Sequence, residues 1–395
     1  MITERNRVLG ATLMVQALNT WGMLAIAAIA PLVAEGLGLA AALVGYQLSM
    51  IYFVASLTSL IAGALVGRWG PARASQASLL ACAAGVAVAA SGGITGVIVA
   101  SLMIGFGYGL TNPASSQLLF GHSTASDRSL VFSIKQTGVP IGGALAGLVT
   151  PALALAFGWQ AALAAIAPPA LLLALVMERP RARWDAARRP GARLGAQIRE
   201  GTRRVLADAR LRALCLAALC FAAIQLSLMG FVVTFAVTEL GFGAVLAGVL
   251  LAVVQGAGAT GRLGWGWLAD RLRRNAGVLA AIGLLSAAGS IGFALIGPGT
   301  PVPVVFALAV LFGVSAVGWN GVFLAEVARL SPPPLIGAIT GVVGMVTFAG
   351  VVIGPAAFSA LHALLGSFSA AYLGLTLIGL AGSALILRQL RRAPW

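Results

Sequence analysis

"GRLGWGWLADRLRR", residues 261–274, sets two kinds of positive charge close together. Arg271, Arg273 and Arg274 follow Asp270 in a short polar stretch, the pattern of a loop. Arg262 stands earlier, inside an apolar run over 243–268. A run of that length crosses a hydrocarbon core of about 30 Å as a helix rising 1.5 Å per residue. An arginine at the centre of such a helix costs about 2.5–3.5 kcal/mol on insertion scales, so it needs a partner, a ligand or a route to the interface. The stretch therefore reads as the last turns of a membrane helix with one charge inside it and a charged loop beyond it.

The rest of the chain has the same character. Of 395 residues, 60% are hydrophobic and only 9% are charged. Ordinary soluble domains carry about 25% charged residues, so a polytopic membrane protein is the class that fits. Its 51 glycines suit helices that pack closely in lipid. The net charge of +15 does not point to nucleic acid, because the charges lie in short gaps between apolar runs and not along one basic face. Nearly all are arginine; Lys135 is the single lysine, and the Ala/Arg bias resembles a GC-rich bacterial composition. Cys82, Cys215 and Cys220 all fall in apolar runs, with neither metal-site spacing nor an expected disulfide. The basic start, MITERNRVLG, leads into a run too long for a signal-peptide core and reads as an uncleaved first span.

Twelve apolar runs can be marked, near 9–33, 42–66, 75–93, 95–120, 129–157, 160–178, 211–238, 243–268, 277–297, 301–328, 337–363 and 367–387. Each must be helical, since lipid offers no partner for an open backbone. Arginines precede span 1 (Arg5, Arg7) and follow span 2 (Arg68, Arg73), and eleven lie from Arg179 to Arg212. The connections on the other side hold only Glu35 and Glu239 as charged residues. The positive-inside rule then places both termini in the cytoplasm. The single long polar connection, 179–210, divides the chain into helical sets 1–178 and 211–395. It reads as an Arg-rich cytoplasmic linker with a surface helix near Leu194–Leu206, able to touch anionic lipid.

The halves are related. "GALVGR" at 63–68 and "GWLADR" at 266–271 stand after spans 2 and 8, from 63 to 266 an offset of 203. "AGLVTP" at 146–151 pairs with "AGVVIGP" at 349–355, and "GWQAAL" at 158–163 with "SFSAAY" at 367–372. A repeat on that scale is a duplicated six-helix bundle. With "GWLADRLRR" at 266–274 after span 8, the chain resembles the major facilitator superfamily over its whole length, with a narrower resemblance to its oxalate/formate exchanger and monocarboxylate porter branch. The resemblance implies an all-α membrane protein with twelve transmembrane helices in two six-helix bundles. In the family, the Asp of the first motif copy and an Arg in span 4 help latch the cytoplasmic side. The first motif copy departs from the family, with Gly67 at the Asp position, and span 4 has Ser101 where members often have Arg. Losing both together leaves neither charge stranded. "GVPIGG" at 138–143 only approximates the antiporter motif of span 5. Its glycines, with Gly147, Gly350 and Gly354, read better as close helix contacts.

Within the spans, Lys135, Arg262 and Glu326 are the candidate charges, each able to reach an interface or to act inside. His362 lies near the outer end of span 11, and His122 in a loop. Arginine suits a carboxylate because its planar fork donates two parallel hydrogen bonds. The branch named above has an Arg in span 8 shortly before the loop motif, and Arg262 matches it. In the superfamily fold spans 5 and 8 face each other, which implies that Lys135 and Arg262 line one cavity. Glu326 is read as an ion pair with Arg329 or Lys135, or as a coupling and gating group together with Asp270 and Arg271. Asn19, Trp21, Gln47, Tyr52, Gln136, Gln225, Gln255, Trp319 and Asn320 are polar or aromatic residues near mid-span that would complete a binding site.

The functional reading is secondary transport of a small organic anion, a carboxylate, by alternating access in a bacterial inner membrane. Its partners are the solute, the bilayer and a coupling proton or counter-anion; no nucleic acid is expected, and the chain acts as a monomer. The alternatives are efflux of drugs or metabolites by proton antiport, and a sensor that binds without transport. An enzyme is not expected. Two isolated histidines make no catalytic set, no metal-ligand cluster is seen, and no phosphate loop ends in Gly-Lys-Ser/Thr. No cofactor is expected.

Overall fold

The structure, a computed structural model, describes residues 4–38, 41–189, 194–242 and 244–392. These form helices with no strand among the described residues. In chain order they are α1 (Glu4–Ala28), α2 (Ala30–Leu37), α3 (Ala41–Trp69), α4 (Pro71–Ala90), α5 (Ile94–Phe120), α6 (Arg128–Gln136), α7 (Gly138–Phe157), α8 (Trp159–Ala164) and α9 (Ala167–Trp184). Then come α10 (Leu194–Ala207), α11 (Ala209–Thr238), α12 (Ala244–Leu272), α13 (Asn275–Leu295), α14 (Val302–Ala316), α15 (Asn320–Leu330), α16 (Ile336–Leu365) and α17 (Phe368–Arg392). Eleven helical stretches among the described residues are long and apolar enough to cross a membrane. The 29-residue α12, which carries Arg262, is a further long helix between them. The chain is thus an all-helical membrane protein.

Several expected spans are interrupted, and proline accounts for most of the breaks. Pro31, Pro140 and Pro168 lack the amide that would bond the carbonyl four residues back, so the helix yields within that turn. The breaks fall at Ile29, at Thr137 and at Ala165–Ile166. The fourth, at 317–319, centres on Gly318. The described residues of the polar connection are largely helical. The helix of span 6 continues to Trp184, α10 occupies 194–207, and α11 starts at Ala209. Asp208 caps α11 by accepting from the amides of Arg210 (2.8 Å) and Leu211 (3.3 Å).

The chain divides into two compact units. One comprises Met1–Thr124, Ile134–Arg204 and Ser331–Met345; the other comprises Ala125–Ser133, Val205–Leu330 and Val346–Trp395. Close helix contacts organise the first. A Cβ at Gly105 or Gly109 would lie 2.7 or 2.6 Å from the carbonyl oxygens of Ile51 and Ala55 on α3. One at Gly107, on the other side of α5, would lie 2.6 Å from that of Ser78 on α4. The alternating glycines of "GFGYG" therefore let α5 touch two helices at backbone distance, where dispersion and weak Cα–H···O contacts are strongest. The second unit has a conventional aromatic core. The Tyr372 ring is fully buried and meets Phe235 and Phe358 edge-on, each at 5.2 Å between centroids. Large side chains also face outward, as lipid requires: Leu148 is 76% and Leu155 79% exposed.

Candidate functional site

In the first unit the polar residues gather around Lys135. Its side chain is 1% exposed. The ammonium donates to the amide oxygens of Gln16 (2.7 Å), Asn112 (2.6 Å) and Gln136 (3.1 Å). An ammonium has three protons, so these carbonyls act as a substitute hydration shell for a charge taken out of water. The Gln16 amide is oriented in turn by its NH2 donating to Thr20 at 3.3 Å.

Local sequence explains how the cage is assembled. The α6–α7 break falls just after Lys135 and Gln136. Beyond it, α7 presses Gly138 and Gly142 onto α1. A Cβ at Gly138 would come 2.6 Å from the Leu13 carbonyl oxygen, and one at Gly142 would come 2.3 Å from that of Ala17. This small-xxx-small contact brings Lys135 within reach of Gln16. Gly147, expected to serve similarly, has nothing within 4 Å of where a methyl would stand, and Gly143 meets only Leu24 at 3.7 Å. The Trp21 indole donates to Thr150 at 2.9 Å, a second tie between α1 and α7. Tyr52 packs edge-on against Tyr108 at 6.1 Å. Gln47 is buried with neither amide atom partnered among the described residues, and the Asn19 oxygen is likewise unpartnered while its NH2 donates to Val15.

In the second unit Arg262 is 2% exposed and its Nε donates to the carbonyl oxygen of Val317 at 3.1 Å. Val317 lies in the gap between α14 and α15, where a carbonyl loses its helical partner. The arginine thus meets a real backbone need as well as carrying charge into the span. Trp265 donates to the Val314 carbonyl oxygen at 2.8 Å and braces the same break. Trp319 donates to the Gln225 side-chain oxygen at 3.0 Å and lies between Phe221 and Phe323. Asn320 opens α15 with its side-chain oxygen buried and unpartnered among the described residues. Gln255 is half-buried on α12.

The loop-motif residues sit at one end of this unit. The Asp270 carboxylate accepts from the amides of Ser129 (3.0 Å) and Leu130 (2.7 Å), closing the start of α6. This supplies the anionic group that a helix N-terminus favours. Ser133, one turn on, is wedged where Gly266 and Gly321 leave room; a Cβ at Gly321 would lie 2.4 Å from its Cα. Arg271 stacks over the Trp267 ring at 5.3 Å. Arg329 grips both oxygens of Glu326, at 2.7 and 2.5 Å. His362 stacks on Phe368 at 3.9 Å, and the His122 ring bonds the Leu118 carbonyl oxygen.

In the first unit the loop between α3 and α4 is built differently. Gly67 occupies the motif's Asp position, and a Cβ there would meet the Gln197 side chain of α10 at 2.2 Å. The carboxylate that closes α4 comes from Asp185, which accepts from Ala72 (2.7 Å) and Arg73 (3.2 Å). Burial pushes the Asp185 carboxyl up, and the two amides pull it part of the way back. Ser101 bonds the Val97 carbonyl oxygen within its own helix.

Sequence reading missed Gln16, Asn112, Thr150, Trp265 and the Val317 carbonyl as members of these clusters. Gln16 shares a helix face with Asn19 and stands in a long apolar run, and Asn112 precedes Pro113 within span 4. Both carry a readable signal; the Val317 carbonyl carries none. Among the described residues no three His, Cys, Asp or Glu side chains group as metal ligands.

Long apolar helices that carry buried charge and amides inside the spans define a polytopic membrane protein with polar interior clusters. The chain belongs to the Major Facilitator Superfamily, which its sequence matches over residues 12–355. A comparison with curated proteins gives no match. Among solved structures it is similar to a variant of the E. coli fucose:proton symporter FucP. The TM-score is 0.81 at 16% identity, covering 98% of this chain and 99% of that one. The proton:xylose symporter XylE gives 0.75 at 14%, covering 96% and 94%. The human organic anion transporter MFSD10 gives 0.73 at 14%, covering 97% and 100%. These likenesses establish the fold: the chain has the architecture of secondary transporters.

Proposed function

We propose that the protein is a secondary transporter of a small organic anion, working by alternating access in a bacterial inner membrane with both termini cytoplasmic. The observation that carries this is the pair of buried cations, Lys135 and Arg262, each held by neutral carbonyl oxygens. A neutral carbonyl oxygen is a weaker acceptor than a carboxylate, so an entering carboxylate can replace one of them. Gln136, Gln16 and Asn112 form the surroundings of the lysine; Trp319, Gln225, Asn320 and Gln255 are on the arginine's unit. Asn19, Trp21, Gln47 and Tyr52 extend the polar lining of the first unit. Glu326, Asp270 and Arg271 are assigned to coupling and gating. The sequence halves 1–178 and 211–395, joined by 179–210, are the moving parts, and the chain works as a monomer. The organic anion transporter among the structural neighbours supports the substrate class.

A second reading has its own support. Gln47, Asn19 and Asn320 hold buried amide atoms without partners among the described residues. Unpaired amides are the groups that sugar hydroxyls satisfy, and two neighbours are sugar:proton symporters.

One experiment separates the readings. Purified wild type and Arg262→Gln are melted with mono- and dicarboxylates, sugars and cationic drugs, and the ligand-induced change in Tm is compared. A carboxylate shift present in wild type and lost in Arg262→Gln supports the anion reading and supplies the substrate for flux in proteoliposomes. A shift given only by sugars or cations overturns it, and a carboxylate shift indifferent to Arg262 removes that arginine from the site.

A further inference from the structure

A cavity of about 960 Å³ opens at the loop-motif end of the second unit, and its lining includes neither Lys135 nor Arg262. Arg273, Arg274 and Arg329 line it, together with the first residues of α13 and the apolar side chains of Leu272 and Leu390. Its two carboxylates are already engaged, Asp270 with the amides of α6 and Glu326 with Arg329. Arg273 and Arg274 are exposed and take part in no ion pair among the described residues. The cavity therefore has positive charge to spare. The start of α13 adds to it: Arg274 stands at the N-cap without a side-chain cap bond, and among the described residues the amides of Asn275, Ala276 and Gly277 have no acceptor.

A second observation places this cavity. The exposed stripe on α12 runs Leu263 (41%) to Trp267 (52%), one helical turn apart, and then to Arg271 stacked on the indole. Leu272, 51% exposed, comes next. Leucine, then an interfacial tryptophan, then arginines is the order met when a helix passes from acyl chains to headgroups. The guanidinium forks and free amides stand at headgroup level, beside an apolar wall.

We propose that this cavity binds the phosphodiester of an anionic phospholipid. Arg273 and Arg274 hold the phosphate, the α13 amides complete its coordination, and an acyl chain lies along Leu272. This site is separate from the transported solute and does not depend on which solute that is.

The test melts the delipidated full chain in detergent with added phosphatidylglycerol, phosphatidylcholine or inorganic phosphate. Three proteins are compared: wild type, Arg273→Gln/Arg274→Gln, and a control with equal charge loss on α1, Arg5→Gln/Arg7→Gln. Phosphatidylglycerol is expected to raise the wild-type and control Tm by several degrees, with the shift cut at least by half in Arg273→Gln/Arg274→Gln; phosphatidylcholine gives little. Equal shifts in all three proteins mean diffuse attraction and overturn the site. So does no preference for phosphatidylglycerol over phosphatidylcholine. An equal, Arg273/Arg274-dependent shift from inorganic phosphate overturns the lipid assignment in favour of a soluble phosphate. If Arg273→Gln/Arg274→Gln does not fold, native mass spectrometry of wild type decides between retained phosphatidylglycerol and none.

Discussion

At the level of single residues, Lys135 and Arg262 have the same problem and different solutions. The lysine is a compact charge with three protons, and three amide oxygens from three helices meet them. The arginine is pinned to the carbonyl of a broken helix. Replacing Lys135 by Met removes a costly buried charge but strands three acceptors, buried at Gln16 and Gln136 and half-buried at Asn112, at about 1–3 kcal/mol each where buried. The acceptors outweigh the relieved charge here because the amides remain in place around an apolar tip. Lys135→Met is therefore expected to lower stability by about 1–3 kcal/mol and to remove anion-dependent stabilisation, both read from thermal melts with and without ligand. Lys135→Gln, which keeps a donor, should melt closer to wild type while still losing the anion effect. A full anion response in either variant would remove Lys135 from the site.

At the level of elements, the Lys135 cluster depends on how closely α7 approaches α1. Gly142→Ala would push a methyl into the Ala17 carbonyl oxygen and the Trp21 amide, neither of which can rotate away. An overpacked contact of this kind costs about 1–3 kcal/mol, and it should also draw Lys135 away from Gln16. Gly147→Ala, on the same helix, meets nothing and is expected to be neutral or stabilising by about 0.5–1 kcal/mol through helix propensity. Melting both variants side by side tests the contact, and equal effects would count against it. Gly321→Ala should be as damaging as Gly142→Ala, because the intruding methyl meets the Ser133 backbone. Asp270→Asn loses its charge at the α6 N-terminus and turns one of the two accepting oxygens into an NH2 that faces an amide N–H of Ser129 or Leu130. A loss of about 1–3 kcal/mol is expected from the stranded amide together with the helix-dipole contribution, read as a fall in Tm.

At the level of the whole molecule, the arginine pattern makes an orientation testable. Reporter fusions or thiol labelling at 179–210 should report the cytoplasm, and probes beside Glu239 the opposite side. The reverse result would invert the topology. Apolar run lengths, the repeated motif and the positions of arginine were enough to read the all-helical class and the family, because lipid forces every long apolar run into a helix and charge asymmetry survives in linear order. Lys135, Arg262, Gln136, Trp319 and Gln225 were visible for the same reason: a polar side chain in an apolar run has to be accounted for. What surrounds each of them was not visible. Gln16 and Asn112 come from distant parts of the chain, and the Val317 carbonyl became an acceptor only when the helix broke at Gly318. Gln197 filling the space at Gly67, and Asp185 closing α4, depend on how the connection folds back, which no local pattern encodes. The sequence determined which segments are helices and which charges must be explained. The tertiary structure decided their partners, because hydrogen bonds at about 3 Å depend on contacts between residues far apart in the chain.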